Sequence, residues 1–138
     1  MATEQPDVDD SDLVRTYLRH AVTSAEADAW AFALVNQTVI ASDPIRAWNL
    51  TLALINAAPD DLLGYVGAGP LEDTIDIHGA TLIDKIEERA AQDRRFRFCL
   101  GGIYLAAGYL PADVEARLIR ASDNVLQPYP TPRSTRDA

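Results

Sequence analysis

The sequence predicts an all-α protein, and three observations point that way. Apolar residues recur at helical spacing, as in Leu13, Val14, Tyr17, Leu18 and Ala21. Pro44, Pro59, Pro70 and Pro111 each stand where a proline opens a helix. No alternating apolar and polar run bounded by hairpin turns occurs. The expected form is a single compact domain over residues 11–126, about seven helices in irregular hairpins, an arrangement compatible with HEAT-like packing. The proline starts fall at no fixed interval, so a repeating solenoid is not supported. With 138 residues, 48% of them apolar, the chain can bury one core without disulfides or metal.

Residues 1–10 hold Pro6, four acids and one aliphatic residue, Val8, too little apolar surface to offset the entropy of ordering them. They read as a disordered acidic lead-in. Ser11 is placed to cap the first helix. Thr23 and Glu26 have capping-box spacing and predict a second helix to about Ala41, whose Trp30, Phe32, Leu34, Val35, Val39 and Ile40 suggest burial on more than one side. Asp43 as cap and Pro44 at the first helical position begin a third, with Ile45, Trp48, Leu52 and Ile55 inward and Arg46, Asn49 and Asn56 on a polar line.

Pro59-Asp60-Asp61 opens a short helix through Val66 that Gly67 is expected to stop. Gly69-Pro70-Leu71-Glu72 repeats the start signal, and Gly79 reads as a left-handed stop, which leaves residues 70–78 as a short helix followed by another over about 80–91. The next, from Asp93 to Ala107, is apolar almost all round and reads as the central helix, with Gly101-Gly102 marking a close backbone approach or a break. Pro111-Ala112-Asp113 starts a last helix with Val114, Leu118 and Ala121 inward. Residues 127–138 are rich in proline and read as a disordered or polyproline tail.

The charge of −9 and a pI near 4.5 oppose nucleic-acid binding, which needs clustered Lys and Arg; Lys85 is the single lysine. A basic protein partner suits that charge. No apolar run approaches the ~20 residues that cross a bilayer, and the N-terminus has no secretory pattern, so a cytoplasmic protein without membrane contact is expected. Cys99 stands alone, in an apolar run that makes it a small buried hydrophobe.

Glu72, Asp73 and His78 are the first candidates for acid, base or metal chemistry. At about 100° per residue His78 shares a helix face with Leu71 and Ile75, while the carboxylates lie on another, and no His–carboxylate pair has metal-ligand spacing. Arg94, Arg95 and Arg97 oppose the dipole at the start of their helix and call for compensation by Asp84, Glu87 and Glu88, with Asp93 as cap; the other reading is a phosphate or carboxylate site. These six residues, Glu72, Asp73, His78, Arg94, Arg95 and Arg97, form the candidate binding surface. No catalytic set, metal site or cofactor motif is predicted.

Trp48, Gly69 to Asp73, Gly79, Ile86-Glu87, Ala90, Asp93 and Phe96 together resemble a family of small bacterial helical proteins of unassigned function, marked by a Gly-Pro-Leu-Glu-Asp helix start. The resemblance spans residues 46–104 and departs from the pattern at Arg94, where Pro is expected, and at Ile103-Tyr104, where Val-Trp is expected. It implies a helical domain and no activity. The leading expectation is a non-catalytic acidic interaction module, a regulator or inhibitor of another bacterial protein. The alternatives are a small hydrolase or ligand-binding protein built on Glu72, Asp73 and His78, and a homo-oligomeric structural protein.

Overall fold

In the computed structural model, which describes residues 9–130, the first helix begins two residues earlier than Ser11 as cap suggests. Asp9 is the cap, its carboxylate accepting the Ser11 N–H at 2.9 Å. Helix α1, Asp10–Thr23, buries Leu13, Val14, Thr16 and Tyr17. Asp10, expected in the lead-in, lies inside α1 and receives two N–H groups of Arg46 at 2.6 and 2.8 Å. The expectations for residues 1–8 and 131–138 lie outside the described residues.

Thr23 does not start the second helix. It is the last residue of α1, where its hydroxyl donates to the Arg19 carbonyl and accepts the Ala25 N–H. Ser24, at φ 54°, turns the chain into the left-handed region and ends α1. Arg19 then grips Asp28 through two hydrogen bonds of 2.7 Å, which fixes the connecting turn. Helix α2, Ala29–Ala41, buries Ala31, Val35, Thr38 and Val39 only. Trp30, Phe32 and Ile40 are exposed, so the burial on more than one side expected of α2 does not occur.

Helix α3, Pro44–Ala57, follows the local signals. Asp43 accepts the N–H groups of Ile45 and Arg46, each at 3.0 Å. Trp48 is buried, edge-on to Phe96 with ring centroids 5.5 Å apart. Ile45, expected inward, is exposed in the first turn.

The largest departure comes next. After a 3-10 turn, Asp60–Leu62, and the short α4, Leu63–Val66, the chain neither stops at Gly67 nor restarts at Pro70. It passes through a π-helical turn, Gly67–Leu71, straight into α5, Glu72–Gln92. A proline inside an α-helix lacks its N–H and clashes with the preceding turn, and the wider π turn accommodates Pro70 without ending the helix. Gly67 keeps a right-handed φ of −63°. It serves close packing: a Cβ there would sit 3.1 Å from the Cys99 carbonyl oxygen. Gly79 is likewise interior to α5, where Leu110 packs on it; a Cβ would lie 3.5 Å from a Leu110 methyl.

Helix α5 therefore takes the central place assigned to residues 93–107, touching α2, α3, α6 and α7. Helix α6 spans Arg94–Gly101 and is capped by Asp93, which accepts the Arg95 and Phe96 N–H groups. It ends at Gly101-Gly102, where helix propensity is lowest and where Val125 presses so close that a Cβ on Gly101 would be 2.9 Å from it. An irregular stretch leads to α7, Ala112–Ala121, which buries Val114 and Leu118. The chain then folds back: Tyr129 donates its N–H to the Leu105 carbonyl and accepts the Ala107 N–H, both at 2.7 Å. The tail expected from residue 127 thus starts on a paired segment. Among the described residues there are helices and no strand, an isolated bridge between Ala106 and Tyr129 apart.

One apolar core joins these elements, with Tyr17, Leu50, Leu54, Leu71, Ile75, Ile86, Phe96 and Leu100 fully enclosed. Buried within it, the hydroxyls of Thr51 on α3 and Thr74 on α5 hydrogen-bond to each other at 2.9 Å.

Candidate functional site

The π turn sets the geometry of the site. By continuing the helix it carries Asp73 toward α1 and α2, beside a cavity of about 270 Å³ walled by Tyr17, Phe32, Asn36, Tyr65, Gly69 and Asp73. Single π turns inside helices recur at functional sites. Tyr17 forms the floor at 2% exposure, while Phe32 and Tyr65 are each 39% exposed and form accessible walls. Tyr17 stacks on Phe32 with centroids 6.3 Å apart and meets Tyr65 at 5.8 Å. Gly69 leaves room for the Tyr17 hydroxyl, which would stand 3.4 Å from a Cβ at that position.

The electrostatics of this wall are one-sided. Burial raises the pKa of Asp73 above the ordinary carboxylate range. Asp76 is raised by burial and then by the charge of Asp73. Glu72 is raised by burial, partly offset by the Tyr104 N–H it accepts at 2.5 Å, and further by Asp76 and Asp73. Burial, then Tyr65 and Asp73, push the Tyr17 hydroxyl well above its usual value, so it is neutral. Among the described residues none of Glu72, Asp73 and Asp76 forms an ion pair with a cation. An uncompensated carboxylate beside three aromatic rings is chemically suited to an organic cation, held by charge and by the ring faces together.

A family of unknown function, DUF6869, matches residues 19–125. The chain belongs to this family. No curated protein and no solved structure matches it.

The six residues selected from sequence do not converge on one surface. Glu72 and Asp73 are neighbours on α5 but serve different partners, Glu72 the segment at Tyr104 and Asp73 the aromatic cavity. His78 is half-buried with Nε2 3.3 Å from the Val39 carbonyl, which ties α5 to α2. Arg95 reaches back to the end of α3, donating to the Ile55 and Ala58 carbonyls and to Asp60. Arg97 donates to the Ala90 carbonyl at 2.7 Å and meets Asp123 at 3.2 Å. Arg94 and Arg97 line a second cavity, with Phe98, Cys99, Asp123 and Val125. The acids expected to compensate these arginines do not: Asp84 and Glu87 both bind Arg117 of α7 instead. That contact depresses the Glu87 pKa.

Sequence reading missed Tyr17, Phe32, Asn36 and Tyr65. The available signal was weak: Phe32 and Tyr65 are aromatic residues that end up partly exposed, and only the turn fixed by Arg19 and Asp28 brings α2 over α1. Cys99 lies buried with its Sγ 3.5 Å from the Leu63 carbonyl, and burial pushes its thiol up to about 11. Among the described residues no group of three His, Cys, Asp or Glu is placed to hold a metal ion, and no helix is long and apolar enough to cross a membrane.

Proposed function

We propose that the protein is a non-catalytic interaction module that takes a basic side chain of a partner protein into the cavity formed by Tyr17, Phe32, Tyr65 and Asp73. The observation that supports this reading most is Asp73, a partly buried carboxylate without a cation partner among the described residues, set against aromatic walls that remain open to solvent. Asp76 and Glu72 extend the negative field along α5, and the net charge of −9 steers a basic partner toward the molecule. A guanidinium or ammonium over an aromatic face gains about 0.5–2 kcal/mol, more as water is displaced. In this reading the protein acts in the cytoplasm as a regulator or inhibitor of another bacterial protein.

Titration of the chain with an Arg-rich peptide and with a Glu-rich control, followed by tyrosine fluorescence, tests the proposal. The Arg peptide is expected to bind, more weakly as salt rises, and Asp73→Asn and Tyr65→Ala are each expected to weaken it about tenfold or more. Equal binding of both peptides, or no effect of Asp73→Asn, would overturn it. Turnover of a small substrate that disappears with Glu72→Gln or Asp73→Asn would favour the hydrolase reading instead. Homo-oligomerisation has its own support in the exposed Trp30 and Ile40 of α2 and Ile45 of α3; sedimentation of wild type and Trp30→Ser distinguishes it.

A further inference from the structure

The second cavity carries the opposite charge. Its volume is about 380 Å³, within the range of ~300–1,000 Å³ usual for small-molecule sites. Arg94 and Arg97 line it together with Phe98 and Val125, each of the last two 63% exposed; Gly64 and Gly102 add no side chain to the lining, and Val125 packs on Gly101. The two arginines differ. Arg97 already holds the Asp123 carboxylate at 3.2 Å. Arg94 is exposed and forms no ion pair among the described residues; the same is true of Arg120 and Lys85, but of these three Arg94 alone is in the lining of this cavity. In a chain with 21 acids against 12 basic residues, an arginine without an acid partner in the lining of a mostly apolar cavity is chemically suited to an external anion.

We infer that this cavity binds a small monocarboxylate with an apolar body, its carboxylate on Arg94 and its hydrocarbon between Phe98 and Val125 over the glycine walls. Asp123 shows what the site accepts, since it is a carboxylate already seated on the neighbouring guanidinium. It also limits the affinity, because it occupies Arg97 and repels a second anion. Asp123 and Asn124 follow α7 at φ 58° and 63°, a left-handed pair that fixes where this carboxylate stands. A planar guanidinium matches a carboxylate in two parallel hydrogen bonds. The apolar walls discriminate against a bare inorganic anion, which would gain nothing from Phe98 and Val125.

The test is calorimetric or NMR titration of the full chain with octanoate, with octanol and inorganic phosphate as controls. Octanoate is expected to saturate with a Kd on the order of 1 mM, as suits a ligand of about ten heavy atoms, and both controls to bind at least about tenfold more weakly. Arg94→Gln, at an exposed position, is expected to weaken octanoate about tenfold without changing the melting temperature. Asp123→Asn keeps a residue tolerant of positive φ, frees Arg97, and is expected to tighten octanoate a few-fold while leaving octanol unchanged. Gly64→Leu, where an added Cβ meets nothing within 4 Å, fills the wall of a folded protein and is expected to abolish binding. Absence of saturable octanoate binding, octanol binding as well as octanoate, or an unchanged affinity in a folded Arg94→Gln protein would each overturn the inference.

Discussion

The hydroxyl pair Thr51–Thr74 sets up a test of how the core holds the start of α5. Both residues are 0% exposed and their oxygens are 2.9 Å apart. Thr51→Val keeps the shape of the side chain and removes one hydroxyl, so the Thr74 hydroxyl is left buried without its partner. An orphaned buried polar group costs about 1–3 kcal/mol, and the same holds for Thr74→Val. The double substitution leaves no polar group to satisfy and is expected to be near neutral or stabilising, which makes the two effects strongly non-additive. With a urea slope of roughly 2 kcal/mol/M, each single variant should unfold about 0.5–1.5 M earlier and the double variant close to wild type. Singles that unfold at the wild-type midpoint, or a double variant that loses the sum of both, would refute the reasoning. Because Thr74 is adjacent to Asp73, the single variants should also loosen the aromatic cavity and broaden the Tyr17 and Tyr65 signals in NMR spectra.

The other predictions follow from packing and charge. Trp48→Ala removes a ring that is 6% exposed and edge-on to Phe96, and is expected to cost about 3–5 kcal/mol in chemical denaturation. Stability should rise as pH falls through the raised values of Glu72, Asp73 and Asp76 toward the ordinary carboxylate range, and fall again below that range. The raised pKa values of Glu72, Asp73 and Asp76 mean that the folded state binds protons more readily than the unfolded one, so their unfavourable ionisation is relieved on acidification. The depressed pKa values of Asp28 and Glu87 do the reverse, and the stability they contribute is lost as pH falls through those lowered values. A melting temperature that falls steadily as pH is lowered from neutral to the ordinary carboxylate range would contradict this sign. Asp76→Asn relieves the like-charge contact with Asp73 and is expected to stabilise by about 0.2–0.5 kcal/mol at neutral pH, measured as a shift in urea midpoint. Glu72→Gln retains an acceptor for the Tyr104 N–H and should change stability less than Glu72→Ala, a comparison that thermal melts resolve.

Local chemistry made α3, α7 and the α6 cap legible. Asp43-Pro44, Pro111-Ala112 and Asp93 each satisfy or dispense with the first N–H groups of a helix, and nothing distant competes with them. Where glycine or proline has two uses, sequence alone picked the commoner one. Gly67, Gly79 and Pro70 are ordinary helix punctuation, but here Cys99 and Leu110 occupy the space beside the two glycines and a π turn absorbs the proline. Those are tertiary facts, invisible to a window of neighbouring residues. The candidate site was half legible for the same reason: Asp73 was selected from its motif, whereas Tyr17, Phe32 and Tyr65 become neighbours only when α1, α2 and α4 fold together. The arginine cluster was selected as a unit, yet α6 presents Arg95 to α3 and Arg94 and Arg97 to the second cavity.

Cys99 gives the molecule a built-in clock. Its thiol is buried, disfavoured as a thiolate and directed at the Leu63 carbonyl, while its backbone and Cβ pack against Gly67 across the joint between α6 and the π turn. In the closed structure an alkylating reagent has neither access nor the reactive thiolate, so modification waits for that joint to part. The rate of labelling at low denaturant therefore measures the opening of one defined seam, separate from global unfolding. With a single cysteine in the chain, the readout is one site and one mass increment. Any ligand that grips either side of the seam would register as slower labelling, before its chemical identity is known.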